Sequence, residues 1–275
     1  MNFTKILDIL SNESILNVKG SRRDSFQQFK SVGKNVALAS IPFALASVSP
    51  KTRAATNSMA MGAMMGSNED VLKFALTLEY LEREFYQMGL DSGVIPAEDE
   101  EVFTTISKHE NAHVTFLLGA LGLQDGDLKP VFDFSGAPGG LNLDPFNDYA
   151  VFMALAQGFE DTGVRAYKGQ AGALANSNDL LTYALQIHSV EARHASEVRR
   201  MRGEKGWITK SENTLPSAFQ AIYGGATPES NTVQGGVELS GMFNSQGGDK
   251  ALTEAFDEPL TMDEVNTIAS IFIAS

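Results

Sequence analysis

The sequence predicts an all-α protein: a four-helix bundle with one long crossover, followed by an irregular C-terminal extension with a short helix. Three observations predict it. Four stretches repeat apolar residues at helical spacing. The connections between them run short, long, short, which is the loop pattern of two antiparallel pairs joined by one crossover. Finally, one arrangement of side chains is stated twice, as Glu79, Tyr86, Glu110, His113 and again as Glu160, Tyr167, Glu191, His194. In both runs the Tyr follows the first Glu by 7 residues, the second Glu by 31 and the His by 34. With four histidines in 275 residues, a given Glu has His at the third place about once in seventy by chance. Two hits in matching register point to a duplicated helical hairpin, each copy offering one Glu from its first helix and a Glu-x-x-His pair from its second.

The chain opens on a polar lead with a basic segment, Ser21-Arg22-Arg23 through Lys30 and Lys34, followed by an apolar run from Val36 to Val48 that Pro42 interrupts. Ala44-Leu45-Ala46 offers a small-x-small cleavage site, with a second option near Ala54-Ala55. The run falls short of the roughly 17–25 apolar residues of a membrane span. Basic lead, short apolar run and small-residue exit read as an export signal with its linker over residues 1–55. The expected destination is the periplasm, with cytoplasmic retention as the alternative. Ser21-Arg22-Arg23 resembles the start of a twin-arginine signal, although Phe26 stands one place late and Gln27 occupies a place usually apolar.

The bundle is expected over residues 67–203. Ser67 with Asp70 forms a capping box and opens the first helix, to about Leu90, with Leu72, Ala75, Leu76, Glu79 and Tyr86 on one face and Arg83 at its edge. Pro96 precedes the second helix, about Ala97 to Leu121, with Phe103, Ile106, Glu110, His113, Val114 and Leu117 on one face. The connection is short, so the two lie antiparallel. Gly122 to Leu143, rich in Gly, Asp and Pro, is long enough to cross the end of the bundle. Asp144-Pro145 reads as an N-cap with proline at the first helical position. The third helix then runs to about Ala173, presenting Met153, Ala156, Glu160, Val164 and Tyr167. Ser177 to Asp179 caps the fourth, which ends near Met201 and Gly203 and presents Ala184, Ile187, Glu191, His194, Ala195 and Val198. Residues 204–275 form the extension, expected to pack on the bundle and assigned no chemistry. Leu215 to Gly248 reads as irregular, and a capping box at Thr261 and Glu264 opens a short helix with Val265, Ile268, Phe272 and Ile273 as its stripe.

Composition excludes several functions. A net charge of −13 argues against nucleic acid and against an anionic membrane surface as partners. Without cysteine there is no disulfide, thiolate metal site or cysteine nucleophile. The hydrophobic share of 43% permits a sizeable core.

Each of the four glutamates lies on the apolar stripe of its helix, and ionised carboxylates are costly to bury unless paired or metal-bound. Two divalent cations would offset four carboxylates, with neutral imidazoles completing the shell. Residues three apart share one side of a helix, so Glu110 with His113, and Glu191 with His194, each reach one region of the core. Glu79 and Glu160 complete the set, with at least one of them bridging. Oxygen and nitrogen ligation without sulfur suits iron or manganese, with zinc also possible. Glu82 competes with Glu79 for the first-helix place, and Asp161 raises the same question in the second half. Tyr86 and Tyr167 are either core aromatics with a satisfied hydroxyl or residues beside the metals. His109 and His188 read as surface histidines or as supports of the ligands; Arg193, Glu197 and Arg199 read as solvated helix faces. His109-Glu110-Asn111-Ala112-His113 also matches H-E-x-x-H, the helix of zinc metalloproteases. It lacks an evident third ligand, with Phe116 and Gly119 where the extended motif wants Gly and His, and it leaves the second copy unexplained.

The order Glu, Glu-x-x-His, Glu, Glu-x-x-His resembles the ferritin-like superfamily of ferritins, rubrerythrins and manganese catalases. Around it, LTLEYLEREFY, KHENAH, ALAQGFEDTGVRAY, QIHSVEARHASEVR and, near the C-terminus, EAFDEPLTMDEV are similar to the desiccation-related ferritin-like domain proteins. The resemblance covers Ser67 to Met201 well and the tail loosely. It implies metal ligands at Glu79, Glu110, His113, Glu160, Glu191 and His194, with Tyr86 and Tyr167 near the metals, and it implies no particular reaction. The expectation is therefore a di-iron or di-manganese oxidoreductase of the ferroxidase, oxidase or catalase class, whose partners are metal ions and a small oxidant. The alternatives are a non-enzymatic metal-binding or stress-protection protein, and a bundle with a vestigial site. The long tail argues against a hollow ferritin-type cage and leaves an ordinary oligomer open.

Overall fold

A computed structural model of the protein describes residues 67–274. The export signal and linker expected before Ser67 lie outside the described residues. Four long helices dominate: α1 Asn68–Ser92, α2 Glu100–Leu121, α3 Tyr149–Gln170 and α4 Asn178–Met201. α1 pairs along α2, α3 pairs along α4, and α1 also meets α3. No helix among the described residues is long and apolar enough to cross a membrane.

The helix ends follow local chemistry. The Ser67 hydroxyl accepts from the Asp70 N–H at 3.2 Å, and the Asp70 carboxylate accepts from the Ser67 N–H at 2.9 Å, completing the expected box. Gly93 and Gly122 close α1 and α2 at φ +74° and +69°, the left-handed conformation that glycine adopts without a Cβ clash. α2 begins after Asp99, because Pro96 to Asp99 is spent on a turn closed by Asp99 N–H to Pro96 C=O. The expected start of α3 at Asp144-Pro145 is corrected: Asp144 instead closes a turn, its carbonyl accepting from Asp148 N–H and its carboxylate from the Asn147 amide. Asp148 is the N-cap, accepting from Ala150 and Val151 N–H at 2.9 and 3.3 Å. A side chain that satisfies two otherwise orphaned donors fixes the helix start there. α3 also stops at Gln170, with Ala171 to Ala173 in turns.

Two apolar clusters stack along the bundle. One gathers Phe85, Tyr86, Phe103, Phe134, Phe152, Phe159 and Val198, with Phe85 and Phe152 stacked at 4.8 Å. The other gathers Ala75, Leu76, Tyr80, Val114, Leu117, Tyr167 and Ile187. On α2 and α4 the Glu and His of the repeat fall between the helix's contributions to the two clusters.

After Met201 the chain holds 3₁₀ turns at Ser217–Tyr223, Asn244–Gln246 and Ser270–Phe272, a two-stranded antiparallel ribbon of β1 Val233–Gln234 and β2 Val237–Glu238, and the short helices α5 Gly248–Thr253 and α6 Met262–Ala269. The Thr261–Glu264 capping box opens α6. Val265, Ile268 and Phe272 are buried and join the aromatic cluster, Phe272 meeting Phe159 edge-on at 5.0 Å. The crossover is held by this same segment, Asp133 N–H donating to Phe272 C=O and Phe132 bridging Ile273.

α3 is enclosed from both sides, every residue from Leu155 to Tyr167 being buried. Bundle contacts cover one face and residues after Met201 cover the other. Leu260 N–H donates to the Arg165 carbonyl at 3.1 Å. The Arg165 guanidinium, itself fully buried, pairs with Glu229 at 2.8 Å and donates to the carbonyls of Glu258, Ile222, Gly224 and Thr227. Gly169 permits the approach, since a Cβ there would lie 1.9 Å from the Leu260 carbonyl oxygen.

Candidate metal centre

All six side chains singled out by the repeat meet between the two apolar clusters. Glu79, Glu110, Glu160 and Glu191 are fully buried, and His113 and His194 nearly so. Their ligand-competent atoms form two groups, Glu79, Glu110, His113, Glu191 and Glu110, Glu160, Glu191, His194, with the atoms of each lying within 4.8 Å of one another. Glu110 and Glu191 belong to both groups; Glu79 and Glu160 each belong to one.

Both imidazoles turn Nδ1 inward. His113 Nδ1 lies 3.1 Å from Glu79, 3.0 Å from Glu110 and 3.2 Å from Glu191. His194 Nδ1 lies 3.0 Å from Glu110 and 3.3 Å from Glu160. The His194 contacts lack hydrogen-bond geometry: His194 Nδ1, Glu110 Oε1, Glu160 Oε2 and both oxygens of Glu191 have no hydrogen-bond partner. Buried polar atoms without partners are rare, and an ion is one of the few explanations for them. Converging oxygen and nitrogen atoms that are not paired with one another fit cations at their centre.

Without cations the charges disturb one another. Burial, opposed by His113, pushes the Glu79 carboxyl up to about 7. Burial and then the charge of Glu79 push Glu191 up to about 8, and burial also raises Glu160. Burial alone would lower both imidazoles. The facing carboxylates outweigh it, raising His194 to about 11 and His113 further still. Imidazolium is thus the internal counter-charge of the metal-free centre.

The tyrosines cross between the copies. Tyr86 O–H donates to Glu160 Oε1 at 2.5 Å, and Tyr167 O–H donates to Glu79 Oε1. Each therefore orients the unshared glutamate of the other hairpin. Both phenols are fully surrounded, and burial followed by carboxylate charge holds them well above their ordinary pKa.

Glu79 enters one of the two groups and Glu82 enters neither. Glu82 is nonetheless buried one turn further along α1, and burial plus the charges of Glu191 and Glu160 push its carboxyl far up. Asp161 faces away from the centre. It takes a two-pronged pair from Arg199 at 2.9 and 2.5 Å and a hydrogen bond from Tyr223 at 2.7 Å. Arg199, expected on a solvated face, is corrected to a buried residue, because residues after Met201 supply Tyr223 and Glu204 around it. Arg193 and Glu197 are exposed as expected. His188 is half-buried against α3 and enters neither group.

His109 is solvent-exposed on one side, yet its Nδ1 lies 2.9 Å from His194 Nε2, with the rings stacked at 5.1 Å. It thereby steadies the outer nitrogen of a residue whose other nitrogen faces the centre. His109 and His113 of the H-E-x-x-H string do not converge, and neither group contains both. His109, His194, Glu98, Glu101, Arg193 and Glu197 line part of an open cavity of about 390 Å³ between α2 and α4.

Sequence reasoning gave no role to Gln157 and Arg165, which are buried with Asp161 along one side of α3. A signal was available: three polar residues four apart on a helix otherwise apolar mark a second stripe that needs its own cover. Among known proteins, the family model described as a ferritin-like domain matches residues 67–204. No curated protein matches the chain.

Proposed function

Because this chain belongs to the ferritin-like domain family, we propose that its six converging side chains hold two divalent metal ions, iron or manganese with zinc as the further option, in an oxidoreductase acting on oxygen, peroxide or Fe(II). The observation that carries the reading is the pair of ligand groups sharing Glu110 and Glu191, with five buried nitrogen and oxygen atoms left without hydrogen-bond partners. Iron or manganese bound there would supply one-electron chemistry on a small oxidant.

The protein's own contribution is positional and electrostatic. Glu79, Glu110, His113 and Glu191 would hold one metal ion, and Glu110, Glu160, Glu191 and His194 the other. Tyr167 and Tyr86 hold the unshared carboxylates in place, and His109 fixes the His194 ring; such supports tune metal affinity. The shared glutamates are fully buried, which restricts the reactant to something the size of dioxygen, peroxide or a bare cation. The open cavity beside His194 is the approach from solvent.

The second reading keeps the same site in a non-enzymatic metal-binding or stress-protection protein, and the enclosure of the centre favours it. The similarity of the helical strings and of the C-terminal EAFDEPLTMDEV to desiccation-related proteins supports that branch of the family. Export to the periplasm through residues 1–55 belongs to both readings, and N-terminal sequencing of protein from its own source tests it. Elemental analysis of that protein, followed by Fe(II) loading with oxygen and peroxide consumption recorded, tests the function. Two equivalents of metal with oxidant turnover support the oxidoreductase; two equivalents without turnover support the storage or protection role; absence of metal binding overturns both.

A further inference from the structure

The apolar cluster around Leu117 and Ile187 is not completely filled. Between the first turns of α1 and the facing stretches of α2, α3 and α4 lies a cavity of about 20 Å³. Apart from Tyr167 and Gln170, every side chain lining it is a hydrocarbon. The helical repeat sets its floor. Ala75 stands one turn before Glu79, Leu117 one turn after His113, and Ile187 one turn before Glu191. Those three ligand residues belong to one group, with Glu110 as its fourth member. The cavity therefore begins about one turn, roughly 5.4 Å, along the bundle from that group. Tyr167 joins the two, its ring lining the cavity while its O–H donates to Glu79. At the outer end Leu72, Phe116 and Ala184 are only half-buried, so the cavity leads towards solvent.

Size and lining select the occupant. The volume suits one molecule of about the size of water, but water needs about two to four polar partners. Here the Tyr167 hydroxyl is already committed to Glu79. A cation or peroxide would lose its hydrogen bonds to water on entering such walls, a cost that dioxygen does not meet. α2 sets this cavity opposite the polar one. His109, one turn before His113, lines the open cavity shared with Glu98, Glu101 and Glu197, whereas Leu117, one turn after His113, lines the apolar one. The centre thus has a polar side suited to cations and peroxide and an apolar side suited to a nonpolar gas.

Resting on the oxidoreductase reading, we propose that this cavity is a dioxygen site, which takes the gas from solvent past Leu72, Phe116 and Ala184 and holds it beside the group of Glu79, His113 and Glu191. Cations and peroxide reach the centre through the cavity beside His194. The oxidant of the centre is then dioxygen, delivered separately from the metal. Filling the apolar cavity slows the reaction with dioxygen and leaves metal uptake and the reaction with peroxide as they were.

Crystals of the full chain as isolated, pressurised with xenon, test the site independently of any metal, because xenon enters dry apolar cavities. The expected result is a xenon peak bounded by Ala75, Leu117, Tyr167 and Ile187. Ala184→Phe fills the outer end from α4, and Leu72→Trp fills it from α1, so a folding defect in one variant does not decide the matter. Each is expected to lose the xenon peak and keep the wild-type metal count. Mixed with dioxygen in stopped flow, the Fe(II)-loaded variants are expected to react at least five-fold more slowly than wild type, and with peroxide at the wild-type rate. No xenon peak in the wild-type crystal overturns the site and leaves the two-metal centre standing. Dioxygen and peroxide rates that both stay unchanged in the filled variants, or that fall together, overturn it too, since the cavity is then only a packing void. Absence of metal binding overturns the two-metal reading and the delivery role together.

Discussion

Glu191→Gln is expected to act with opposite sign on the metal-free and the metal-loaded protein. Glu191 is fully buried with neither oxygen hydrogen-bonded, and its pKa rises from 4.5 to about 8 even with His113 attracting its charge. An acid whose pKa is raised by folding binds its proton more tightly in the native state. Its stabilising contribution is complete below the unfolded value and is lost as pH climbs through the folded one, here between about 4.5 and about 8. At about 1.36 kcal/mol per pKa unit, the charged form costs about 4–5 kcal/mol above pH 8. Glutamine does not ionise and avoids that cost, but an amide with unmet partners returns about 1–3 kcal/mol of it. The metal-free variant should therefore be more stable than wild type at pH 8.5 by about 1–4 kcal/mol, roughly 2–16 °C in Tm for a chain of this size. At pH 4.5 this advantage should vanish. Metal reverses the order. A cation bound only by the native state adds about 2.7 kcal/mol at a hundred times its Kd, and Glu191 belongs to both ligand groups, so both gains shrink in the variant. Thermal melts followed by circular dichroism, at both pH values with chelator and at pH 8.5 with Mn(II), provide the assay. A metal-free Glu191→Gln that melts below wild type at pH 8.5, or that gains as much as wild type from Mn(II), would refute the reasoning.

Metal loading should release protons. At pH 7 the metal-free centre carries them on His113 and His194, mostly on Glu191 and partly on Glu79, so about three per chain should appear when metal displaces them. Calorimetry in buffers of different ionisation enthalpy counts them, and fewer than one would contradict the charge arrangement. Tyr167→Phe removes the donor to Glu79 in one group, and Tyr86→Phe removes the donor to Glu160 in the other. Each should weaken one of the two metals about 10–100-fold and spare its neighbour; a Mn(II) isotherm in which both steps move together would count against separate supports. Gly169→Ala drives a Cβ into the Leu260 carbonyl. It should cost about 1–3 kcal/mol and speed proteolysis after Met201 while the metal count stays at its wild-type value, which limited proteolysis with metal analysis would show.

The sequence by itself determined the four helices, the duplicated hairpin and the six side chains that meet. It could do so because helical periodicity fixes which residues share a stripe, and three-residue spacing places Glu110 beside His113 and Glu191 beside His194. A capping box is equally local, so the starts at Ser67 and Thr261 could be read directly. Asp144 and Asp148 compete for one helix start, and the turn that settles it involves hydrogen bonds that a sequence pattern does not rank. Other decisions depended on how one helix is rotated and shifted against another. Glu110 and Glu191, not Glu79 or Glu160, fall between the two groups. Glu82 lies over a glycine while Glu79 enters the cage. His109 reaches across to His194 and away from the His113 of its own motif. Arg199 and Arg165 looked ordinary in sequence because their burial comes from chain that lies up to 94 residues further on. A stripe on one helix tells what must be covered; only packing decides which residues do the covering.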